Sequence, residues 1–407
     1  MSQDTPLTPV SPPSAAPLTR GEEIQVRENA GNGNYPQRSV PAWERPVHGG
    51  IKPAELRALG LNPEDVLDFS ASISPLGPPE GLWHALQQVD LTAYPDPGCL
   101  DLREALCRHL QQKTDHAVRV DHLLVGNGST ELIHMLARGY LAPMDSVLLF
   151  TPTYGEYNGA SSLAGASIHC IVADRSHGFS WDMMVAKEVI GRERPSLVFL
   201  CNPNNPTGVY LQRVQVEDLA RNVADAGGLL ILDEAYLNFV DDPWDSVPLL
   251  EYGNVVLLRS MTKDYALTAL RLGYSLASSE VTARLAALQP DWSVNGLAQA
   301  AGLLALADAE YLPRARAAVN GAKDYLASEL EAFGLRVLPS TANFLLIEVG
   351  DAVAVADNLK GRGLFVRDCA SFGMPDCIRV GIRPMDDCQR LVDGMRIVVG
   401  VVESASK

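Results

Sequence analysis

The chain has 407 residues, of which 47% are hydrophobic and 20% are charged, and its formal net charge is −16. A chain of this length usually forms two domains, and so acidic a chain is a poor general binder of nucleic acid or of anionic membrane surfaces. Its seven cysteines form no C-x-x-C pair, so we predict neither a disulfide framework nor a metal site.

Residues 1–45 carry mainly Pro, Ser, Thr, Gly and Asn and few large apolar side chains, so we predict a disordered Pro-rich tail. The start of the chain lacks the basic and apolar regions of a secretory signal. No apolar run reaches about 18 residues, so we expect no membrane span. With scattered, reduced cysteines, these features favour a cytoplasmic protein.

Residues 46–90 are predicted to form an N-terminal segment that packs with a smaller domain. It should contain a short helix at 53–59 and, at 71–79, a Pro-rich irregular stretch, because proline removes a backbone donor and restricts its neighbour.

A glycine-containing loop follows a predicted strand at 122–125 and opens a helix. Such a loop presents free backbone N–H groups to an anion. We therefore predict that Gly128, Ser129 and Thr130 bind a phosphate group, although ordinary helix capping would use the same residues.

Beyond this helix, short apolar strands alternate with helices. The predicted strands are 147–150, 168–172, 197–200, 229–232 and 255–258. This alternation is typical of an α/β fold in which helices flank a mostly parallel sheet on both faces. We assign 91–290 to a large domain of this type. Residues 291–407 should form a smaller α+β domain.

Polar residues follow the ends of these strands. Tyr154 follows the strand at 147–150 and Asn205 follows the strand at 197–200. Asp233 follows the strand at 229–232, and Lys263 follows the strand at 255–258. Ligands in open α/β sheets bind at the carboxyl ends of the strands, so we expect these side chains to converge.

This set of residues suits the chemistry of pyridoxal phosphate. Lys263 can form a Schiff base with an aldehyde. Asp233 can keep a pyridine nitrogen protonated, which makes the ring an electron sink. The remaining predicted contacts are stacking by Tyr154, hydrogen bonds from Tyr236 and Asn205 to the ring oxygen, and phosphate binding by Ser260 and Arg271.

Four ordered motifs resemble those of the aspartate-aminotransferase fold family, the fold type I pyridoxal-phosphate enzymes. They are the run 202–208, the Asp-Glu-Ala-Tyr run at 233–236, the Ser-x-x-Lys pair at 260–263, and Arg271. The resemblance covers about residues 47 to 400. It implies the family fold and a pyridoxal 5'-phosphate cofactor.

The resemblance also implies how a substrate is held. Arg379 matches the arginine that binds the substrate carboxylate, with two parallel hydrogen bonds. Arg367 resembles a second arginine, found in family members that take phosphorylated amino substrates. His48 and Gly49 resemble an N-terminal substrate segment of the threonine-phosphate decarboxylases, and the run 68–77 also resembles that branch.

From these features we predict decarboxylation of L-threonine O-3-phosphate to 1-amino-2-propanol O-phosphate, a step of cobalamin biosynthesis. Ser72 and Ser74 stand where that branch usually has asparagine, and serine offers one hydroxyl in place of an amide. We expect Ser72 to contact the substrate, yet the exchange leaves an alternative open. That alternative is a histidinol-phosphate-type aminotransferase that uses 2-oxoglutarate.

Two further expectations concern partners. Tyr94 resembles the family tyrosine that reaches the cofactor phosphate of a neighbouring subunit, which implies a homodimer with shared active sites. A regulator with an aminotransferase-like sensor domain would carry a basic DNA-binding domain ahead of it, and here a Pro-rich tail stands in that place.

Overall fold

The computed structural model describes residues 45–405. The predicted disordered tail, residues 1–45, lies outside the described residues except for its last position. The strands are β1 (Leu67–Asp68), β2 (Leu123–Asn127), β3 (Ser146–Thr151), β4 (Ser167–Val172), β5 (Leu197–Cys201), β6 (Leu229–Asp233), β7 (Val255–Ser260), β8 (Leu272–Leu276), β9 (Arg336–Leu338), β10 (Phe344–Glu348), β11 (Leu364–Phe365), β12 (Arg367–Asp368) and β13 (Cys377–Gly381).

Helices alternate with the strands through most of the chain. They are α1 (Pro53–Leu59), α2 (Leu82–Gln87), α3 (Leu100–Gln111), α4 (Gly128–Tyr140), α5 (Gly155–Leu163), α6 (Met183–Glu193), α7 (Arg213–Ala226), α8 (Met261–Asp264), α9 (Ser279–Ala286), α10 (Gly296–Ala307), α11 (Tyr311–Glu331), α12 (Ala352–Lys360) and α13 (Met385–Ala405). Among the described residues, no helix is long and apolar enough to cross a membrane.

The main sheet has seven strands in the order β2-β8-β7-β6-β5-β3-β4. The strands from β3 to β7 pair in parallel, whereas β8 runs antiparallel to both β2 and β7. The predicted α/β fold with a mostly parallel sheet is therefore confirmed. The sequence analysis missed β8, because its residues follow Arg271 without the apolar run that marks the other strands.

Alternate residues of each central strand enter different cores. Val198 and Leu200 of β5 belong to one cluster of buried side chains, and Leu197 and Phe199 belong to another. Successive side chains of a strand point to opposite faces of the sheet. Both faces are therefore covered, which explains why these strands are continuously apolar.

A second sheet, in the order β12-β13-β10-β9, is antiparallel throughout and has its own core beneath α11, α12 and α13. The N-terminal segment joins this part of the chain, since Leu67 and Asp68 of β1 pair in parallel with Leu364 and Phe365 of β11. Farther along the segment, α2 instead packs against α10. The domain boundaries drawn from the sequence stay a prediction.

Candidate active site

A cavity of about 620 Å³ lies at the carboxyl ends of β3, β5, β6 and β7. It gathers side chains from the main sheet, from the small antiparallel sheet and from the N-terminal segment. The predicted site residues that line it are His48, Gly49, Ser72, Ser129, Thr130, Tyr154, Asn205, Asp233, Tyr236, Lys263, Arg271, Arg367 and Arg379. The expectation that the polar strand ends converge is met, because the parallel strands place them at one edge.

Lys263 lies in α8, directly after β7, and its Nζ donates a hydrogen bond of 2.8 Å to Thr262 Oγ1. Burial, and after it the nearby Arg271, lower the pKa of the Lys263 amine to about 8, against the opposing effect of Asp233 and Asp264. A lysine with this pKa is partly neutral near pH 8 and can act as a nucleophile or a base.

Asp233 ends β6 and is only 3% exposed. Its Oδ2 accepts a hydrogen bond of 2.7 Å from the Tyr157 hydroxyl, and its Oδ1 accepts one of 3.0 Å from the Ala235 N–H. Burial raises the pKa of Asp233, whereas these two hydrogen bonds lower it. Together they fix the carboxylate in one orientation at the cavity wall.

Tyr157 was missed by the sequence analysis. It is fully buried and stacks on Phe199, with ring centroids 4.9 Å apart. Tyr154, which was predicted, lies three residues before it, beside the start of α5. Residues three apart lie on the same side of a helix, so this spacing was the available signal.

The start of α4 and the side chain of Arg271 form one corner of the cavity. Gly128 has φ +76°, and a Cβ built there would lie 2.6 Å from Arg271 Nη2. The Arg271 guanidinium therefore lies directly against the glycine backbone, while Ser129 and Thr130 line the cavity beside it. A helix N-terminus and a guanidinium at one point suit a phosphate group.

Ser260 is not part of the cavity lining, although it was predicted to bind phosphate. Its buried hydroxyl contacts Thr262 Oγ1 at 2.6 Å, and it is Thr262 that lines the cavity and contacts Lys263. The helical turn of α8 directs residue 262 inward, beside the lysine. Ser260 thus contacts the site only through Thr262, a residue that the sequence analysis missed.

Arg379 lies on β13 and is 5% exposed. Its Nη1 donates 2.5 Å to Asn205 Oδ1 and its Nη2 donates 2.6 Å to the Ser70 carbonyl oxygen. Its buried Nε has no hydrogen-bond partner among the described residues. An orphaned guanidinium donor in a cavity wall is expected where an anionic ligand binds.

Arg367 lies on β12 directly opposite Arg379 in the antiparallel pair, and it too is only 5% exposed. Its Nη2 donates to the Ser371 hydroxyl at 2.6 Å and to the Val47 carbonyl oxygen at 3.0 Å. Burial lowers the pKa of the Arg367 guanidinium. Two like charges facing each other across strands are destabilising, and Asp368 Oδ2, 3.5 Å from Arg367 Nη1, offsets part of this repulsion.

His48 and Gly49, which were predicted to belong to an N-terminal substrate segment, line the cavity. His48 Nε2 contacts Glu156 Oε1 at 2.6 Å, and the His48 ring centroid lies 5.5 Å from that of Tyr154. Ser72 is 3% exposed, and its hydroxyl has no hydrogen-bond partner among the described residues. Both side chains are therefore placed where a ligand would contact them.

Tyr94 is not brought into this cavity. Its side chain is 80% exposed and stacks on Trp292, with ring centroids 4.5 Å apart. The expected contact with a neighbouring subunit stays a prediction.

Comparison of the sequence with known proteins finds a matching family and similar relatives. Residues 64–395 match the family described as "Aminotransferase class I and II". The chain is 36% identical to the histidinol-phosphate aminotransferase of Symbiobacterium thermophilum over 355 residues, which cover 86% of this chain and 95% of that protein. It is 32% identical to that of Moorella thermoacetica, again over 86% of this chain and 89% of the relative.

Solved structures agree with this placement. Histidinol-phosphate aminotransferase from Sinorhizobium meliloti, in complex with pyridoxal-5'-phosphate, superposes with a TM-score of 0.77 at 25% identity and covers 87% of this chain and 95% of its own. Aspartate aminotransferase from Thermus thermophilus with maleate gives a TM-score of 0.75 at 23% identity, over 85% and 94% of the two chains, which is a likeness of fold.

The prediction of a threonine-phosphate decarboxylase is wrong, because these relatives are named histidinol-phosphate aminotransferases. The run 68–77 lines part of the cavity, but the contacts of its first residues form a turn. Asp68 Oδ1 accepts hydrogen bonds from the Ser70 N–H and hydroxyl and from the Ala71 N–H, and Phe69 is fully buried. A turn of this kind supports either reaction and does not select the bond that breaks.

Proposed function

Because the chain belongs to the family of class I and II aminotransferases, we propose that it transfers the amino group of histidinol phosphate to 2-oxoglutarate. It is a pyridoxal-phosphate-dependent enzyme of that family. The proposed reaction is a step of histidine metabolism, in place of the cobalamin step expected from the sequence. The similarity to relatives of that name supports this choice of reaction.

The observation that carries the proposal is the pair formed by Arg367 and Arg379. Both guanidinium groups are buried, both line the cavity and they face each other across two strands. A ligand with anionic groups would offset the repulsion between them. Histidinol phosphate brings a phosphate, and 2-oxoglutarate brings two carboxylates, so one pair of arginines could serve both half-reactions in turn.

The residues at the sheet edge fit pyridoxal phosphate. When bound, this cofactor draws electrons from the substrate carbon that carries the amino group. Lys263 would hold its aldehyde carbon and Asp233 its ring nitrogen. The phosphate would be held at the start of α4 by Ser129, Thr130, the backbone at Gly128, Thr262 and Arg271, the ring face by Tyr154, and the ring oxygen by Asn205 and Tyr236.

Lys263 is also the group best placed to move a proton. Its amine has a pKa lowered to about 8 and lies in the same cavity as the two arginines. An acid or base is most effective when its pKa is near the working pH. In the proposed reaction Nζ would take up the proton from the substrate carbon that carries the amino group and would hold it within the cavity.

We also propose that the enzyme is a homodimer. Three large apolar side chains within the stretch 83–94 are well exposed: Trp83 at 76%, Leu91 at 78% and Tyr94 at 80%. Tyr94 stacks on Trp292, which is 46% exposed, and exposed large apolar side chains of this kind are typical of an interaction surface. Light scattering during size-exclusion chromatography should give twice the mass of the chain, and a monomer that is fully active would contradict the dimer with shared sites.

A direct assay tests the proposed function. Purified protein is incubated with pyridoxal phosphate, histidinol phosphate and 2-oxoglutarate, and glutamate and carbon dioxide are measured. Glutamate that depends on both substrates, with no carbon dioxide, is the expected result. Threonine phosphate serves as the comparison substrate. A separate sample is reduced with borohydride to show that Lys263 carries the cofactor. If the loaded, unreduced protein then forms no glutamate, the proposal is overturned.

A further inference from the structure

One wall of the cavity is a short stretch of backbone, residues 47–50, which we call the strap. The strap is held on one side by Arg367, whose Nη2 donates to the Val47 carbonyl oxygen at 3.0 Å. At its other end the Gly50 N–H donates to the Ser70 hydroxyl at 2.7 Å. A Cβ at Gly49 would collide with the Ser70 carbonyl oxygen, so the strap lies against this turn without a gap.

A different part of the molecule holds the strap from across the cavity. Glu156, in the first turn of α5, contacts His48 Nε2 through Oε1 at 2.6 Å and His134 Nε2 through Oε2 at 2.9 Å. The side chain of Glu156 is 10% exposed, and those of the two histidines are 45% and 36% exposed. A buried carboxylate with two imidazole partners has both oxygens hydrogen-bonded and is held in one orientation.

These contacts make the strap a bridge. His48 connects the strap to α5, the helix that follows β3 of the main sheet. Arg367 connects the strap to β12 of the small sheet. Glu156 and His48 both line the cavity, so the contact between them lies in the cavity wall. His134 of α4 approaches the second oxygen and leaves Glu156 little freedom to rotate.

We propose that Glu156 is a positioning residue for the substrate, acting through His48 to hold the strap as one wall of the substrate pocket. His134 fixes the orientation of Glu156. The inference rests on the proposed aminotransferase function for its kinetic readout. The proposal assigns Glu156 no contact with the cofactor. A change of this carboxylate is therefore predicted to weaken substrate binding and to leave cofactor binding nearly unchanged.

The test uses the holoenzyme and the variants Glu156→Gln, His48→Gln and the double variant. A glutamine presents one acceptor oxygen and one amide, so it cannot accept from both imidazole N–H groups. Losing a hydrogen bond to a charged group should raise the KM for histidinol phosphate by about tenfold or more in Glu156→Gln. The kcat and the Kd of pyridoxal phosphate should change by less than about threefold, because Glu156 is assigned no contact with the cofactor.

The double variant shows whether Glu156 acts through His48 or whether the two residues affect KM independently. If Glu156 acts through His48, the double variant should have nearly the KM of the more impaired single variant, because residues in one contact are not additive. A matched control is Asp174→Asn, which alters a His–carboxylate contact of the same 2.6 Å length, to His177, on the exposed surface. That control should keep the wild-type KM.

Hydrogen exchange gives a second readout that needs no substrate. The Gly50 amide of the strap, which donates to the Ser70 hydroxyl, should exchange faster in Glu156→Gln than in wild type, while the amides of the central strands keep their protection. A wild-type enzyme that is inactive on histidinol phosphate would overturn the proposed function only. An unchanged KM, additive effects in the double variant, or unchanged exchange in the strap would each overturn the role of Glu156.

Discussion

Replacing Gly128 by alanine should separate cofactor binding from folding. Gly128 has φ +76°, a left-handed conformation that costs a residue with a Cβ about 1–2 kcal/mol. The new Cβ would lie 2.6 Å from Arg271 Nη2, so the guanidinium must move away from the start of α4. The substitution therefore strains the backbone and also displaces a proposed phosphate ligand.

The size of the effect on the cofactor follows from the lost contact. One hydrogen bond to a charged group contributes about 1.5–3 kcal/mol, which corresponds to an increase in Kd of about 10- to 150-fold. We expect an increase in this range when apoenzyme is titrated with pyridoxal phosphate and the absorbance of the bound cofactor is followed. Urea unfolding of the same apoenzyme measures the backbone penalty separately.

Gly178→Ala is the matched control. Gly178 has a similar φ of +68°, but a Cβ there has no atom within 4 Å. It should show a comparable loss of unfolding free energy with an unchanged Kd. If Gly128→Ala binds the cofactor as tightly as Gly178→Ala does, the assignment of Gly128 and Arg271 to the phosphate is refuted.

Three further results are expected. The rate at which apoenzyme captures pyridoxal phosphate should rise with pH through about 8, because the neutral Lys263 amine reacts. Arg271→Gln should move that midpoint upward, and a wild-type midpoint near 10.5 would contradict the reasoning. Tyr157→Phe should raise the pKa of Asp233 further, because a buried carboxylate oxygen loses its hydrogen-bond donor. For the same reason the free energy of unfolding of the apoenzyme, measured in urea at pH 7, should fall by about 1–3 kcal/mol. An unchanged free energy of unfolding would count against this role of Tyr157. Arg379→Lys should raise the KM for both substrates by about tenfold or more, because an ammonium lacks the planar fork, and an effect on one substrate alone would argue against an anion site shared by the phosphate of one substrate and a carboxylate of the other.

The correction of the reaction has a physical basis. Decarboxylation and transamination use the same cofactor and the same polar strand ends, so Lys263 and Asp233 are common to both. The difference depends on how the substrate is oriented about its Cα, which is set by groups from several parts of the chain. The run 68–77 resembled one branch, but its Asp68 caps a turn and its Phe69 fills a core.

Local sequence also did not show which hydroxyl of one motif lines the cavity. In the Ser-x-x-Lys run, the hydroxyl that lines the cavity belongs to Thr262, and Ser260 lies behind it. Which hydroxyl faces inward depends on the turn of α8 after β7. Glu156 and Tyr157 were missed for a related reason, since their partners His48 and Asp233 are 108 and 76 residues away.

The sequence by itself determined the α/β architecture and the residues at the strand ends, because strand burial and polar termini are local patterns. Parallel strands then bring those ends to one edge whatever the details of packing. Only the tertiary structure decided that Arg367 faces Arg379 across two strands, that Tyr157 holds Asp233, and that Glu156 connects to the strap. Those contacts join segments far apart in the chain, and their geometry depends on how separate elements pack.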